Sequence, residues 1–301
     1  MREKEFIEII KDITKSPFIG DDCAVLEDFG MVVTQDNLIE DVHFSQKFCT
    51  PFELGFKSVM VNISDICASG AKPKYITIGL SVPKDCEKSF IQEFYKGCKK
   101  ACGNDVQIIG GDLTAADKIM ISVCAIGCAK ERNLSSRKDA QIGQKVVISG
   151  VHGSSAAGLF LLQNDLQEPK SLINAHLCPV AQVDFSKKIS QNIKTPYAMM
   201  DTSDGLMDAL TTIAQDSEVL LEIDFDKIPY DRGILSLKNW QEYVLFGGED
   251  YQLVATVPED FKIGHTIGKV SMGSGVSLKK DNEVHFFSRT NIEGRLYNHF
   301  G

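Results

Sequence analysis

Nowhere in this chain of 301 residues do about 18 apolar residues follow one another, so the sequence offers no membrane-spanning helix. The opening residues MREKEFIEIIKDI interleave charges with apolar side chains at helical spacing, which is not the pattern of a secretory leader. A cytoplasmic protein with no membrane partner is therefore expected. The chain also has no C-x-x-C pair among its 9 cysteines. They stand at 23, 49, 67, 86, 98, 102, 124, 128 and 178, an odd number without metal-ligand spacing. Reduced, mostly buried thiols in a reducing compartment follow, and a zinc site does not. No basic stripe with interleaved aromatics appears, and the net charge is −9. Nucleic-acid binding has no electrostatic support in that balance. The common nucleotide motifs are missing as well: no G-x-x-x-x-G-K-[ST] loop, no H-R-D or D-F-G set, and no G-x-G-x-x-G opening a helix.

What is present describes an ordinary globular protein, 43% hydrophobic and 24% charged. The length allows one large domain or two of moderate size, either able to bury a core without staples. The pattern predicts helices over 2–14, 51–69 and 87–103, and strands over 31–35, 75–82, 106–109 and 119–126. Residues 129–144 are polar and poor in apolar periodicity, the candidate boundary. A strand over 145–149, a small-residue turn and a helix over 156–163 open the second half. A strand ending at Asp201, a helix from Gly205, and a glycine-rich turn over 246–251 before a strand at 252–256 complete it. No fixed-period repeat or low-complexity segment appears. This alternation predicts an α/β (α+β) fold in two domains, 1–136 and 137–301.

Carboxylates recur in this sequence beside glycines and small polar residues, at the expected ends of apolar strands. Asp21 and Asp22 follow Gly20, Asp36 ends MVVTQD, Asp65 lies in VNISD, and Asp112 follows Gly110 and Gly111. Asp201 and Asp204 frame DTSDG. One such aspartate is an ordinary turn or cap residue. Seven in the same pattern point to a shared cleft, where their repulsion calls for cations. Oxygen ligands without nearby His or Cys suit Mg²⁺, which bridges carboxylates to substrate phosphates. An acidic chain can thus hold an anionic substrate, and the chemistry indicated is phosphoryl transfer.

The segments GDDCAV, VTQDNLIEDVHF, VNISDICASGAKP, IIGGDLT, GSSAAGL, DTSDGL, FGGEDYQL and the terminal YNHF, in that order, resemble thiamine-monophosphate kinase. GDD, N-x-S-D and GGD are shared across the wider aminoimidazole ribonucleotide synthetase superfamily. The combination of H-F after the second strand, G-G-E-D-Y and the terminal aromatic-x-H-F is more specific. The resemblance implies an N-terminal mixed sheet that pairs with a second subunit into a homodimer barrel, a C-terminal α/β domain, and an active site in the cleft between them. It implies direct transfer from ATP to thiamine monophosphate with several Mg²⁺ ions and no covalent nucleophile. Position by position, Asp22, Thr34, Gln35, Asp36, Asp65, Asp112, Asp201 and Asp204 match metal-binding residues. Gly111, Asp112, Arg137 and Ser203 match ATP contacts, and His43, Glu249 and Tyr297 match the thiamine phosphate site. Asn62 and Ser64 are expected to support a loop that presents Asp65. Gln35 departs from the Thr or Ser usual in the family, and the segment HLCPV lacks an arginine often found after its proline.

Two rival readings stay open on the sequence. One is another ATP-dependent member of the superfamily, such as a ribonucleotide cyclo-ligase, a selenophosphate synthetase or a hydrogenase-maturation relative. The other is a Mg²⁺- and nucleotide-binding regulator without catalysis.

Overall fold

The computed structural model describes residues 3–296. The first half runs α1 (Glu3–Thr14), β1 (Ala24–Leu26), β2 (Met31–Ile39), α2 (Pro51–Ala68), β3 (Lys72–Val82), α3 (Lys88–Cys102), β4 (Gln107–Ala115) and β5 (Met120–Cys128). The second half begins with β6 (Lys145–Ile148), α4 (Ser154–Gln163), α5 (Lys170–Leu177) and α6 (Val183–Asn192). It continues through β7 (Met199–Asp201), α7 (Leu206–Asp216), β8 (Leu220–Asp224) and α8 (Trp240–Phe246). It ends with β9 (Leu253–Val257), β10 (His265–Ser271), β11 (Gly275–Lys280), β12 (Glu283–Phe287) and α9 (Arg289–Ile292).

The strands form two mixed sheets. The first has the order β1-β2-β5-β3-β4, antiparallel except for the β3–β4 pair. The second has the order β12-β11-β8-β10-β6-β9-β7, with β11 and β8 its parallel pair. No regular element lies between β5 and β6, where the sequence pattern placed a boundary. Among the described residues no helix is long and apolar enough to cross a membrane.

Helix α2 joins the halves. Its start is set locally: Pro51 occupies the first turn, and Thr50 and Glu53 form a reciprocal capping box. Buried residues then follow one another almost without a break from Leu54 to Ala68, as expected of a helix packed on all sides. It lies against β2, β3 and β5 of the first sheet and against β7 and α6 of the second half. Against α3 the approach is so close that a Cβ on Gly55 would sit 2.0 Å from the Phe94 carbonyl oxygen, and one on Gly97 would sit 1.9 Å from that of Phe52. Glycine in a helix costs about 1 kcal/mol relative to alanine, but here no larger residue fits. One apolar core accordingly holds Ile66 of α2, Phe94 of α3 and Val123 of β5 together with Met199 and Ala255 of the second sheet.

Three aspartates stand elsewhere than expected. Asp36 lies inside β2, which continues to Ile39, because Asn37–Ile39 keep pairing with β5. Asp65 lies on α2 and not in a loop, since the run around it packs on every side of a helix. The expected Gly110–Gly111 turn is also absent: both glycines and Asp112 continue β4 in register with β3. Gly111 allows this, because a Cβ there would meet the Ile78 carbonyl oxygen at 1.9 Å.

Candidate active site

Polar side chains along α2 reach elements of both halves. Asn62 accepts the backbone N–H of Asp36 through Oδ1 at 3.0 Å. Ser64 donates to Asp201 Oδ2 at 2.7 Å, across the junction of the halves. Asp65 Oδ2 accepts from Thr34 Oγ1 at 2.7 Å, and Lys57 Nζ contacts Glu249 Oε2 at 3.0 Å. Asn62 and Ser64 thus fix the partners of Asp65 while Asp65 itself rides on the helix.

The result is a carboxylate cluster. Oxygens of Asp22, Asp65 and Asp201 lie within 4.8 Å of one another. Burial pushes Asp22 up to about 7, against the lowering by Arg137, with Asp201 and Asp21 adding to the rise. Burial and then Asp22 push Asp36 up to about 6. Asp65 is raised by burial, then by Asp36, Asp201 and Asp22. Burial raises Asp201 to about 6 despite the hydrogen bond from Ser64. Arg137 is the cation bonded here: Nη2 meets Asp22 Oδ1 at 2.5 Å and Nε lies 3.7 Å from Asp21 Oδ1. Ser136 also donates to Asp21 at 2.6 Å, so Asp21 anchors the inter-sheet segment. One arginine does not neutralise five carboxylates, and the all-oxygen donor set suits hard divalent cations.

From Asp36 and Asp65 a cavity of about 640 Å³ extends toward Lys57, lined by residues of both halves. Its wall follows one face of α2 through Asp65, Val61, Lys57 and Leu54. Asp65 and Lys57 are eight residues apart, about 12 Å along the helix axis. Ser203, Asp204, His43 and Glu249 line the same space. His43 accepts the Ile39 N–H at Nδ1, 3.0 Å away, which leaves Nε2 as the donor of a neutral ring. The GGED turn docks on the DTSDG turn: the Glu249 N–H donates to the Ser203 carbonyl at 2.6 Å. Asp250 behind it accepts the N–H groups of Gly153 at 2.5 Å and Ser155 at 2.8 Å, at the start of α4.

Other expected residues stand apart from the cluster. The Gln35 side chain donates to Ser122 at 3.2 Å, in contrast to its neighbours Thr34 and Asp36, as strand alternation requires. Gly111 and Asp112 are exposed on β4. Tyr297 lies outside the described residues. Sequence reasoning passed over Lys57, Asp250 and His176. Burial lowers His176 to about 4, and its Nδ1 lies 3.1 Å from Ser155 Oγ and 3.4 Å from Glu249 Oε2.

Known proteins resemble this chain in sequence and fold. The AIR synthase related protein, N-terminal domain, matches residues 20–129. The thiamine-monophosphate kinase of Aquifex aeolicus (strain VF5) is 36% identical over 100% of both chains. That of Bacillus subtilis (strain 168) is 34% identical, with 94% of this chain and 93% of the relative covered. The chain belongs to the thiamine-monophosphate kinases. Among solved structures of such kinases, AaThiL complexed with AMPPCP and TMP matches with a TM-score of 0.88 at 36% identity, covering 99% of this chain and 97% of that one. Hydrogenase maturation protein HypE in complex with ATP, 18% identical with a TM-score of 0.70, shares the fold alone.

Proposed function

We propose that this thiamine-monophosphate kinase works in the cavity along α2, with several Mg²⁺ ions at the carboxylate end and the thiamine moiety at the Lys57–Glu249 end. The observation that carries this reading is the polarity of the cavity. Buried carboxylates stand at one end and an ion pair at the other, about 12 Å apart along α2, a span suited to a phosphorylated two-ring substrate.

Asp22, Asp65 and Asp201 would hold the metal, with Asp36 beside them and Asp204 and Thr34 as further contributors. Gln35 would contribute through its backbone carbonyl only, and Asp112 would reach ions carried by the nucleotide from outside the cluster. Bound Mg²⁺ supplies neutralisation of the carboxylates and of the phosphate oxygens. The chain's own residues position the reactants. Ser203, Gly111, Asp112 and Arg137 take the nucleotide, and Arg137 exchanges Asp22 for phosphate as cations arrive. His43 donates toward the substrate phosphate, while Glu249 and Tyr297 take the thiamine rings. An oxygen of the thiamine phosphate attacks the γ-phosphorus of ATP. The bond from that phosphorus to the β–γ bridging oxygen breaks, ADP leaves, and no enzyme group is phosphorylated. The complex of AaThiL with AMPPCP and TMP supports this pairing of substrates.

Strand β4 is exposed along its length, with Ile109 and Leu113 more than half exposed at a sheet edge. Such an edge supports a homodimer formed there. The cysteines, all reduced, support a cytoplasmic setting.

The test is turnover of purified protein with ATP, Mg²⁺ and thiamine monophosphate. Thiamine diphosphate and ADP are expected in equal amounts, with free thiamine a much poorer acceptor. Equal use of free thiamine, or no turnover of the monophosphate, contradicts the proposal.

A further inference from the structure

The GGED turn is held more tightly than a loop that only lines a pocket needs to be. Glu249 adopts φ 64° and Tyr251 φ 48°, both in the left-handed region that non-glycine residues avoid. Three contacts fix the turn. The Glu249 N–H is bound by Ser203, Asp250 is bound by the N–H groups of Gly153 and Ser155, and the Glu249 carboxylate is bound by Lys57. The first holds the turn's backbone, the second its Asp250 side chain, and the third acts on the functional group. Lys57 is 4% exposed, and a lysine is rarely so buried without a reason. It comes from α2, 192 residues away in sequence, so the packing of the halves sets this contact.

We infer that Lys57 is a positioning residue for substrate specificity: it fixes Glu249 as an ionised, acceptor-only group that selects a pyrimidine edge carrying an amino donor. This rests on the proposed function and deepens it. An ionised carboxylate has no proton to donate, whereas a neutral carboxyl offers both a donor and an acceptor. Lys57 and His176 both approach Oε2, and neither contact falls on Oε1. The Glu249 side chain remains 30% exposed toward the cavity. Burial alone would raise its carboxyl, yet Lys57, followed by His176 and His43, brings it below the usual range. His176 is neutral above about pH 4, so at neutral pH Lys57 supplies the charge that matters. Without Lys57 the carboxylate would lose its fixed rotamer and its counter-charge, and a protonated form could greet a ring oxo group equally well.

The experiment compares kcat and KM for thiamine monophosphate and for its analogue with oxo in place of the pyrimidine amino group. Wild type, Lys57→Met and Lys57→Arg are each assayed with ATP and Mg²⁺. Wild type should prefer the amino substrate by at least about tenfold in kcat/KM. Lys57→Met should lose that preference, chiefly through KM for the thiamine substrate, while KM for ATP stays within about twofold. Lys57→Arg, which keeps the charge, should retain most of it. A merely structural lysine would lower both substrates equally and leave their ratio untouched, and that result overturns the inference. Should Lys57→Met not fold, Lys57→Gln takes its place: the neutral variant must lose the ratio that Lys57→Arg keeps, and equal ratios overturn the inference. Wild-type turnover of thiamine monophosphate without amino-over-oxo preference overturns this inference alone. A wild-type enzyme inactive on thiamine monophosphate overturns the proposed function and this inference with it.

Discussion

The two ends of the cavity solve the same physical problem in opposite ways. At the Glu249 end, one half-buried carboxylate meets one buried ammonium at 3.0 Å, and its pKa is lowered. At the other end Asp22, Asp36, Asp65 and Asp201 are all raised, burial first and mutual repulsion next. Arg137 answers Asp22 but not the remainder. On the proposed reading, the chain would complete the charge balance where a neutral or cationic ring sits. Where phosphates sit, it would leave the balance to external cations. This contrast explains how a protein with net charge −9 can take two anionic substrates.

The largest effect should come from the carboxylate end. Asp65→Asn is expected to reduce turnover by about 10³-fold, more than loss of an outer partner of a metal site would. In chelator the same variant should be as stable as wild type or more so, because a repulsive buried charge is gone. Thermal melting in chelator and a steady-state assay check both halves. A variant that unfolds would make Asp65 a structural group and remove the contrast.

Arg137→Met is next. Asp22 is 4% exposed at its side chain, and breaking a buried pair on one side costs about 3–5 kcal/mol. Denaturant unfolding in chelator should show that loss, and Mg²⁺ should restore much of it by taking over the charge. A loss that Mg²⁺ leaves unchanged would mean that Arg137 and Asp22 form a purely structural bridge.

How much of this contrast the sequence discloses depends on whether the determinant is local. The helices at 3–14, 51–68 and 88–102 and the strand through Ile76 follow from periodicity, and the structure agrees. Gly-Asp-Asp and Asp-Thr-Ser-Asp-Gly could be singled out because carboxylates beside small residues are visible in one dimension. Lys57 could not, since on a helix it reads as a solvated lysine until its partner is known. Asp65 reads as a strand-end or loop aspartate because its neighbours are apolar, whereas that apolarity reflects burial on all sides of α2. Gly110 and Gly111 read as a turn because glycine usually weakens strands, whereas here the close approach of β3 requires glycine at 111 while Gly110 faces open space. Strands β8, β10, β11 and β12 did not register in the sequence pattern at all; β12 is exposed over most of its length, so alternation there carries little signal.

A smaller effect sharpens the other end. His176 is held near 4, against about 6.5 for an exposed histidine. Between those values the unfolded chain takes up a proton that the folded chain refuses. Stability is therefore lost as pH falls from 6.5 toward 4, by about 1.4 kcal/mol per pH unit at most, and is unaffected above that window. The raised carboxylates act in the opposite direction, so wild type alone does not isolate the term. The stability difference between wild type and His176→Gln should shrink as pH falls through this window and stay constant from pH 7 to 8. A constant difference throughout would mean that His176 titrates as in the unfolded chain.

The central claim is that external cations complete the carboxylate end for the phosphates. Calorimetric titration of AMPPCP, with Mg²⁺ and again in excess chelator, tests it most directly. Unit like charges about 4 Å apart cost about 4 kcal/mol at an effective dielectric near 20. Affinity should therefore be at least about 10²-fold higher with Mg²⁺, and bound nucleotide should tighten Mg²⁺ binding by the same factor. Equal affinity in Mg²⁺ and in chelator would contradict the account and leave Arg137 as the group that holds the phosphates.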